Sequence, residues 1–165
     1  MERNQKATLG VALLLLLCFF LYAAYPTFVG TNVQLQLAPV DPTDIFRGEY
    51  LILRYELSTI DASLPKDYDL NYGDTIYVTL SDEPIRKATA YSHVPPEGLY
   101  IKGMVNGQSI VYGIEQYFIP EKSGTILDGS YTALVKIDGR GNARVTKILK
   151  NGEPVTFTYQ GRMGN

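Results

Sequence analysis

Three groupings of side chains in this sequence have the chemistry to bind or to react. The first is Asp67-x-Asp69-x-Asn71-x-Gly73-Asp74, which sets oxygen ligands at alternate positions in the manner of a calcium loop. An EF-hand, however, carries its glycine one place earlier and a glutamate at the twelfth position, which here is Val78. A polar turn leading into a strand is therefore the preferred reading, with Asp67, Asp69, Asn71 and Asp74 kept as a metal candidate. The second grouping centres on His93, the single histidine, which lies before Pro95-Pro96 in an expected loop. Nucleophilic catalysis needs a nucleophile and a base within hydrogen-bond reach; His93 has no evident partner, and no serine stands in a recognisable nucleophile setting. Structural zinc is excluded, because the chain beyond residue 26 has no cysteine and only this histidine.

The third grouping is Glu115 with the arginines of an earlier segment. Glu115 falls in an expected strand, 109–119, with apolar residues on both faces: Ile110, Tyr112, Ile114 and Phe118 on one, Val111, Tyr117 and Ile119 beside Glu115 on the other. A carboxylate in a central strand is costly unless it is paired, and Arg47 or Arg54 is the expected partner. Three readings stay open: an ion pair that locks two strands together, a binding pocket lined by Tyr50, Arg54, Glu115 and Tyr117, or acid/base chemistry.

These residues must be positioned by strands. Val33, Leu35 and Leu37 alternate with polar neighbours, and β-branched and aromatic residues recur in runs of five to nine. Strands are expected at 32–38, 49–58, 74–80, 85–92, 98–105, 109–119, 131–138, 143–150 and 154–160. Asn106-Gly107, Asp138-Gly139 and Asn151-Gly152 suit tight hairpins with positive φ. About eight or nine strands joined by short turns predict an all-β domain, an antiparallel sandwich or barrel-like sheet. In the strand 49–58, Leu51, Leu53, Tyr55 and Leu57 share the core face, while Tyr50, Ile52, Arg54 and Glu56 share the other.

That strand also carries a resemblance. Gly48-x-Tyr50-x-x-Leu53-x-Tyr55, preceded by Asp41-Pro42-x-Asp44-x-Phe46-Arg47, resembles the signature of the GDYXXLXY family of bacterial membrane-anchored proteins. Tyr112 to Glu121 is similar to the second recurrent stretch of that family, and the likeness extends over the N-terminal apolar segment and nearly all of the chain beyond it. Glu49 departs from the family pattern, standing where its name has Asp; the charge is kept but moved one methylene outward. The resemblance implies an envelope protein found beside multi-pass membrane proteins, and it leaves the activity open. Arg47, Glu49, Tyr50, Arg54, Tyr55, Glu115 and Tyr117 are the binding residues expected on this footing.

Between Lys6 and Asp41 there is no charged residue, and Ala7 to Tyr25 is almost wholly apolar. As a helix those positions would span roughly 28 Å, close to the ~30 Å hydrocarbon core of a bilayer. The expected organisation is a cytoplasmic N-terminus at 1–6, a transmembrane anchor at 7–25, a short spacer at 26–31 and an extracytoplasmic β domain at 32–165. Arg3 and Lys6 precede the apolar run, which places the N-terminus inside by the positive-inside rule. A cleaved signal peptide is the rival, but Leu21-Tyr22-Ala23-Ala24-Tyr25-Pro26 offers no small pair at the A-x-A spacing. Cys18 reads as an apolar residue of the anchor.

Charge is divided along the chain. Residues 41–83 hold ten acids against three bases, whereas residues from Arg86 onward hold ten bases against six acids. Attraction between halves of one domain accounts for this better than a nucleic-acid surface. The expected function is a membrane-anchored docking or binding module of the bacterial envelope, non-enzymatic and without a cofactor. Its expected partners are the bilayer and a multi-pass membrane protein, with no nucleic acid. A sensor of a small ligand or metal ion is the alternative, and an envelope hydrolase with an unrecognised site is the third.

Overall fold

The computed structural model describes residues 2–38, 50–67, 69–118 and 130–155. It separates into two compact units, Met1–Gly30 and Thr31–Asn165. The first is a single helix, α1, Glu2–Phe28, which runs beyond the expected 7–25 at both ends. Leu13 to Leu17 and Phe19 to Tyr22 are all more than half exposed on it.

The second unit is built from strands. The five-stranded sheet contains β1 (Thr31–Gln36), β4 (Ile85–Arg86), β9 (Tyr131–Ile137), β10 (Ala143–Lys150) and β11 (Glu153–Pro154), in the order β11-β10-β9-β1-β4. All its pairs are antiparallel except β1 with β4, where Gln34 lies opposite Ile85 and Leu35 opposite Arg86 in parallel. A four-stranded antiparallel sheet has the order β5-β3-β6-β7, from β3 (Thr75–Leu80), β5 (Ala88–Ser92), β6 (Tyr100–Asn106) and β7 (Ser109–Val111). The third sheet pairs β2 (Tyr50–Ile52) with β8 (Gln116–Phe118). Among the described residues no sheet closes into a barrel, so the architecture is all-β in several largely antiparallel sheets with one N-terminal helix.

Alternation places the core as expected. Val33, Leu35 and Leu37 are buried from β1 onward, as are Ile76, Val78 and Leu80 of β3 and Ala133, Val135 and Ile137 of β9. These side chains join those of the other sheets in one apolar cluster, which is how half-buried sheets cover their inner faces.

Four expected elements differ, the first being the strand expected at 85–92, which is two strands, β4 and β5, in two different sheets. The strand expected at 49–58 ends at Ile52, and the chain turns through a short 3₁₀ helix, η1, at Glu56–Ser58. There Ser58 N–H donates to the Tyr55 carbonyl at 3.0 Å and Thr59 N–H to that of Glu56 at 3.3 Å. The strand expected at 109–119 is two strands in two different sheets, because Gly113 takes φ +77° and turns the chain between them. An L side chain rarely adopts that conformation, but a hydrophobic pattern is blind to it. At the β9–β10 connection the positive φ sits on Gly141, not Gly139, and Asp138 Oδ1 accepts from Arg140 N–H at 2.8 Å and Asn142 N–H at 2.9 Å. Asn151-Gly152 forms its turn with both residues at positive φ. Of the strand expected at 154–160, residues 156–160 lie outside the described residues.

Candidate functional site

The two family-like segments are direct neighbours. Antiparallel pairing of β2 and β8 sets Tyr50 opposite Phe118, Leu51 opposite Tyr117 and Ile52 opposite Gln116. The pairing continues where Leu53 N–H donates to the Glu115 carbonyl at 2.7 Å.

Two buried tyrosines then tie the segments reciprocally. Tyr55 reaches across to donate its hydroxyl to the Ile114 carbonyl at 2.8 Å, and Tyr112 reaches back to donate to the Leu57 carbonyl at 2.7 Å. Both carbonyls lie where regular pairing has ended, at η1 and beside the Gly113 turn, so neither has a ladder partner. A buried carbonyl left unpaired is costly, and each ring fills core volume while its hydroxyl removes that cost. Burial drives the pKa of Tyr55 well above the usual phenol range, with the nearby Glu115 charge adding to it. Tyr112 is raised for the same reason, with Tyr91 and Glu115 as the further contributors. Both phenols are thus donors at neutral pH and unsuited to proton transfer.

Of the other expected binding residues, Arg54, Glu115 and Tyr117 are among those described. Arg54 is exposed, with its backbone carbonyl accepting from Ala38 N–H at 2.8 Å. Glu115 is half-buried, and its carboxylate accepts from the backbone N–H of Tyr112 at 2.6 Å, capping the Gly113 turn from within. Among the described residues Arg54 makes no ion pair with Glu115; the alternative partner, Arg47, lies outside the described residues. Tyr117 is half-buried against the core. Arg47, Glu49 and the side chain of Tyr50 lie outside the described residues.

The acidic stretch is organised by hydrogen bonds of its own. Asn71 N–H donates to Asp74 Oδ2 at 2.9 Å and Asn71 Nδ2 to the Asp69 carbonyl at 3.2 Å, which makes a polar turn into β3. Asp67 turns away from that group toward His93, whose Nδ1 lies 2.9 Å from Asp67 Oδ2, and it also accepts from Ser92 Oγ at 3.1 Å. Some desolvation of Asp67 is outweighed by these bonds, and its pKa is lowered. Among the described residues no three His, Cys, Asp or Glu side chains are placed to hold a metal ion.

A cleft that sequence reasoning missed opens beside η1. Its inner part, about 210 Å³, is lined by Gln36, Glu56, Leu57, Asp61, Arg86 and Tyr91 among others. A shallower trough of about 610 Å³ shares Gln36, Glu56 and Lys87 with it and runs out past Glu83, Ile85 and Ser130. In the inner part the acids come from η1 and the residues after it, and the bases are Arg86 of β4 and Lys87 between β4 and β5. Tyr91 joins the walls, its hydroxyl oxygen accepting from Asp61 N–H at 2.9 Å. Only one signal was visible in the sequence: Asp82-x-x-x-Arg86 and Glu83-x-x-x-Lys87, which form ion pairs of 2.9 and 3.2 Å. Nothing local joined those residues to Glu56 and Asp61.

The family model described as GDYXXLXY protein matches residues 12–148. No curated protein and no solved structure matches the chain.

Proposed function

This chain belongs to the GDYXXLXY family, and we propose that it is a membrane-anchored, extracytoplasmic binding module of the bacterial envelope that docks on a multi-pass membrane partner. Helix α1 carries this reading. Leu13 to Leu17 and Phe19 to Leu21 occupy near-consecutive positions 100° apart, so their exposed side chains lie on every side of the helix. A helix that is apolar all round needs an apolar surround, and lipid supplies one. Among the described residues no helix is long and apolar enough to cross a membrane. The side chains described, 8–22, account for roughly 22 Å of a ~30 Å core, so the proposed span includes Ala7 and Ala23 to Tyr25. Arg3 and Lys6 hold the N-terminus in the cytoplasm.

For the docking face we propose the outer side of the β2–β8 sheet. Phe118 is 75% exposed there, on the same side as Ile52, and exposed aromatics are frequent anchors of protein interfaces. The full chain, expressed with a C-terminal phosphatase, should resist alkaline carbonate extraction and be active outside the cytoplasm. A photo-crosslinking residue at Phe118 should give one discrete membrane-protein adduct. Release of the chain by carbonate would refute the anchor, an inactive phosphatase would refute the orientation, and a missing adduct would refute the docking face.

A further inference from the structure

The inner cleft holds charged groups of both signs whose hydrogen-bonding capacity is incompletely used. Arg86 is largely buried, with 21% of its side chain exposed. Its Nη1 bonds to the Ser81 carbonyl and to Asp82 Oδ1, while Nε and Nη2 have no partner among the described residues. Those two atoms form the flat edge of a guanidinium that matches a carboxylate with two parallel bonds. Across the cleft, the Glu56 carboxylate has no partner among the described residues, and Asp61 uses only Oδ1, which accepts from Ser63 N–H and Oγ. Gln36 Nε2 is held by the Tyr131 carbonyl and Ser130 Oγ, which leaves its Oε1 as an acceptor. Leu57, Leu64 and Ala88 supply the apolar part of the lining.

We propose that this cleft binds a compact zwitterion, an amino acid or a short peptide with free ends. Its carboxylate meets the open edge of Arg86, its ammonium group meets Glu56 and Asp61, and its apolar side chain rests on Leu57, Leu64 and Ala88. A purely anionic ligand would face Glu56 and Asp61, and a purely cationic one would leave the open edge of Arg86 unmet. A molecule with both charges satisfies the open carboxylates and the open guanidinium edge together. The size of the inner cavity limits the ligand to about one or two residues, with the trough taking the second.

This inference rests on the reading of the domain as a binding module, but its test needs neither a membrane partner nor a particular topology. Purified full chain in detergent is titrated calorimetrically with L-leucine and L-leucylglycine, and with N-acetyl-L-leucine and L-leucine amide, which lack the ammonium and the carboxylate respectively. Saturable binding of at least one free-ended compound is expected, with both blocked compounds weaker by about tenfold or more, the loss expected for a charge-assisted hydrogen bond. Glu56→Gln, which disturbs no intramolecular bond described above, should fold normally and weaken binding by a similar factor. Arg86→Lys keeps the charge but loses the two-donor edge and should also weaken it. No binding of either free-ended compound at millimolar concentration would overturn the proposal. So would equal binding of the blocked compounds, or unchanged affinity in a folded Glu56→Gln variant.

Discussion

Replacing Tyr55 by Phe removes one oxygen atom and keeps the ring. Tyr55 is fully buried and its hydroxyl donates to the Ile114 carbonyl at 2.8 Å. The variant loses a hydrogen bond worth about 1 kcal/mol net, and it strands a carbonyl beside Ile114, which is only 4% exposed. Water has little access to repair the loss, so the expected destabilisation is about 1–3 kcal/mol, a large fraction of a typical 5–15 kcal/mol domain stability. For a domain of this size that lowers the melting temperature by about 3–5 °C per kcal/mol. The chain contains no tryptophan, so unfolding of the full chain in detergent is followed by the near-ultraviolet circular dichroism of its tyrosines. Tyr72→Phe, at a position 80% exposed, serves as control and should change stability by less than about 0.5 kcal/mol. Tyr112→Phe, which strands the Leu57 carbonyl, should match Tyr55→Phe. Because the two hydroxyls tie the same pair of segments, the double variant should depart from additivity by at least about 0.5 kcal/mol. A Tyr55→Phe variant as stable as the Tyr72→Phe control would refute the view that these hydroxyls hold the family-like segments together.

Three further outcomes are expected. Tyr55 and Tyr112 have folded-state pKa values above the unfolded value of about 10. Their contribution to stability is therefore complete below about pH 10 and is lost as pH rises from there toward the folded values; absorbance titration should show these two phenols ionising last, together with unfolding. Gly113→Ala should cost about 1–2 kcal/mol, because φ +77° strains any L side chain although the space around a new Cβ is open; an unchanged denaturation midpoint would contradict this. Glu115→Ala should lose about 1–2 kcal/mol by exposing the Tyr112 N–H, whereas Arg54→Gln should stay within about 0.5 kcal/mol, since Arg54 makes no pair with Glu115. Equal losses at Glu115 and Arg54 in urea denaturation would restore the ion pair.

The alternation of Val33, Leu35 and Leu37, of Leu51, Leu53, Tyr55 and Leu57, and of Ile76, Val78 and Leu80 was enough to name the inward faces. Side-chain direction in an extended chain has period two, and burial follows it with little help from context. Turn residues placed the hairpin of β6 with β7 and that of β10 with β11, because Asn-Gly pairs accept positive φ locally. The adjacency of the two family-like segments was also expected. An ion pair of Glu115 with Arg47 or Arg54 was inferred from charge signs; among the described residues the segments are joined by backbone pairing and two tyrosine hydroxyls, and Arg47 lies outside them. Charge signs say which groups attract, but they do not say which donors a fold brings close, and Glu115 accepts from a donor three residues away along its own chain.

The break of 109–119 into strands of two sheets was not legible, since a glycine in a run of apolar residues carries no sign of the φ it will take. The cleft was equally hidden. Glu56 and Asp61 share a cleft with Arg86 and Tyr91 through the parallel pairing of β1 with β4 and the contact of the segment after η1 with β5, and neither leaves a short turn in the sequence to announce it. Residue type and order were enough for the local features: the apolar helix, the identity of the inward faces, the Asn-Gly turns and the family. The company each polar group keeps was left to the packing of the sheets, because a hydrogen bond or a cleft depends on distances between segments that no local pattern encodes.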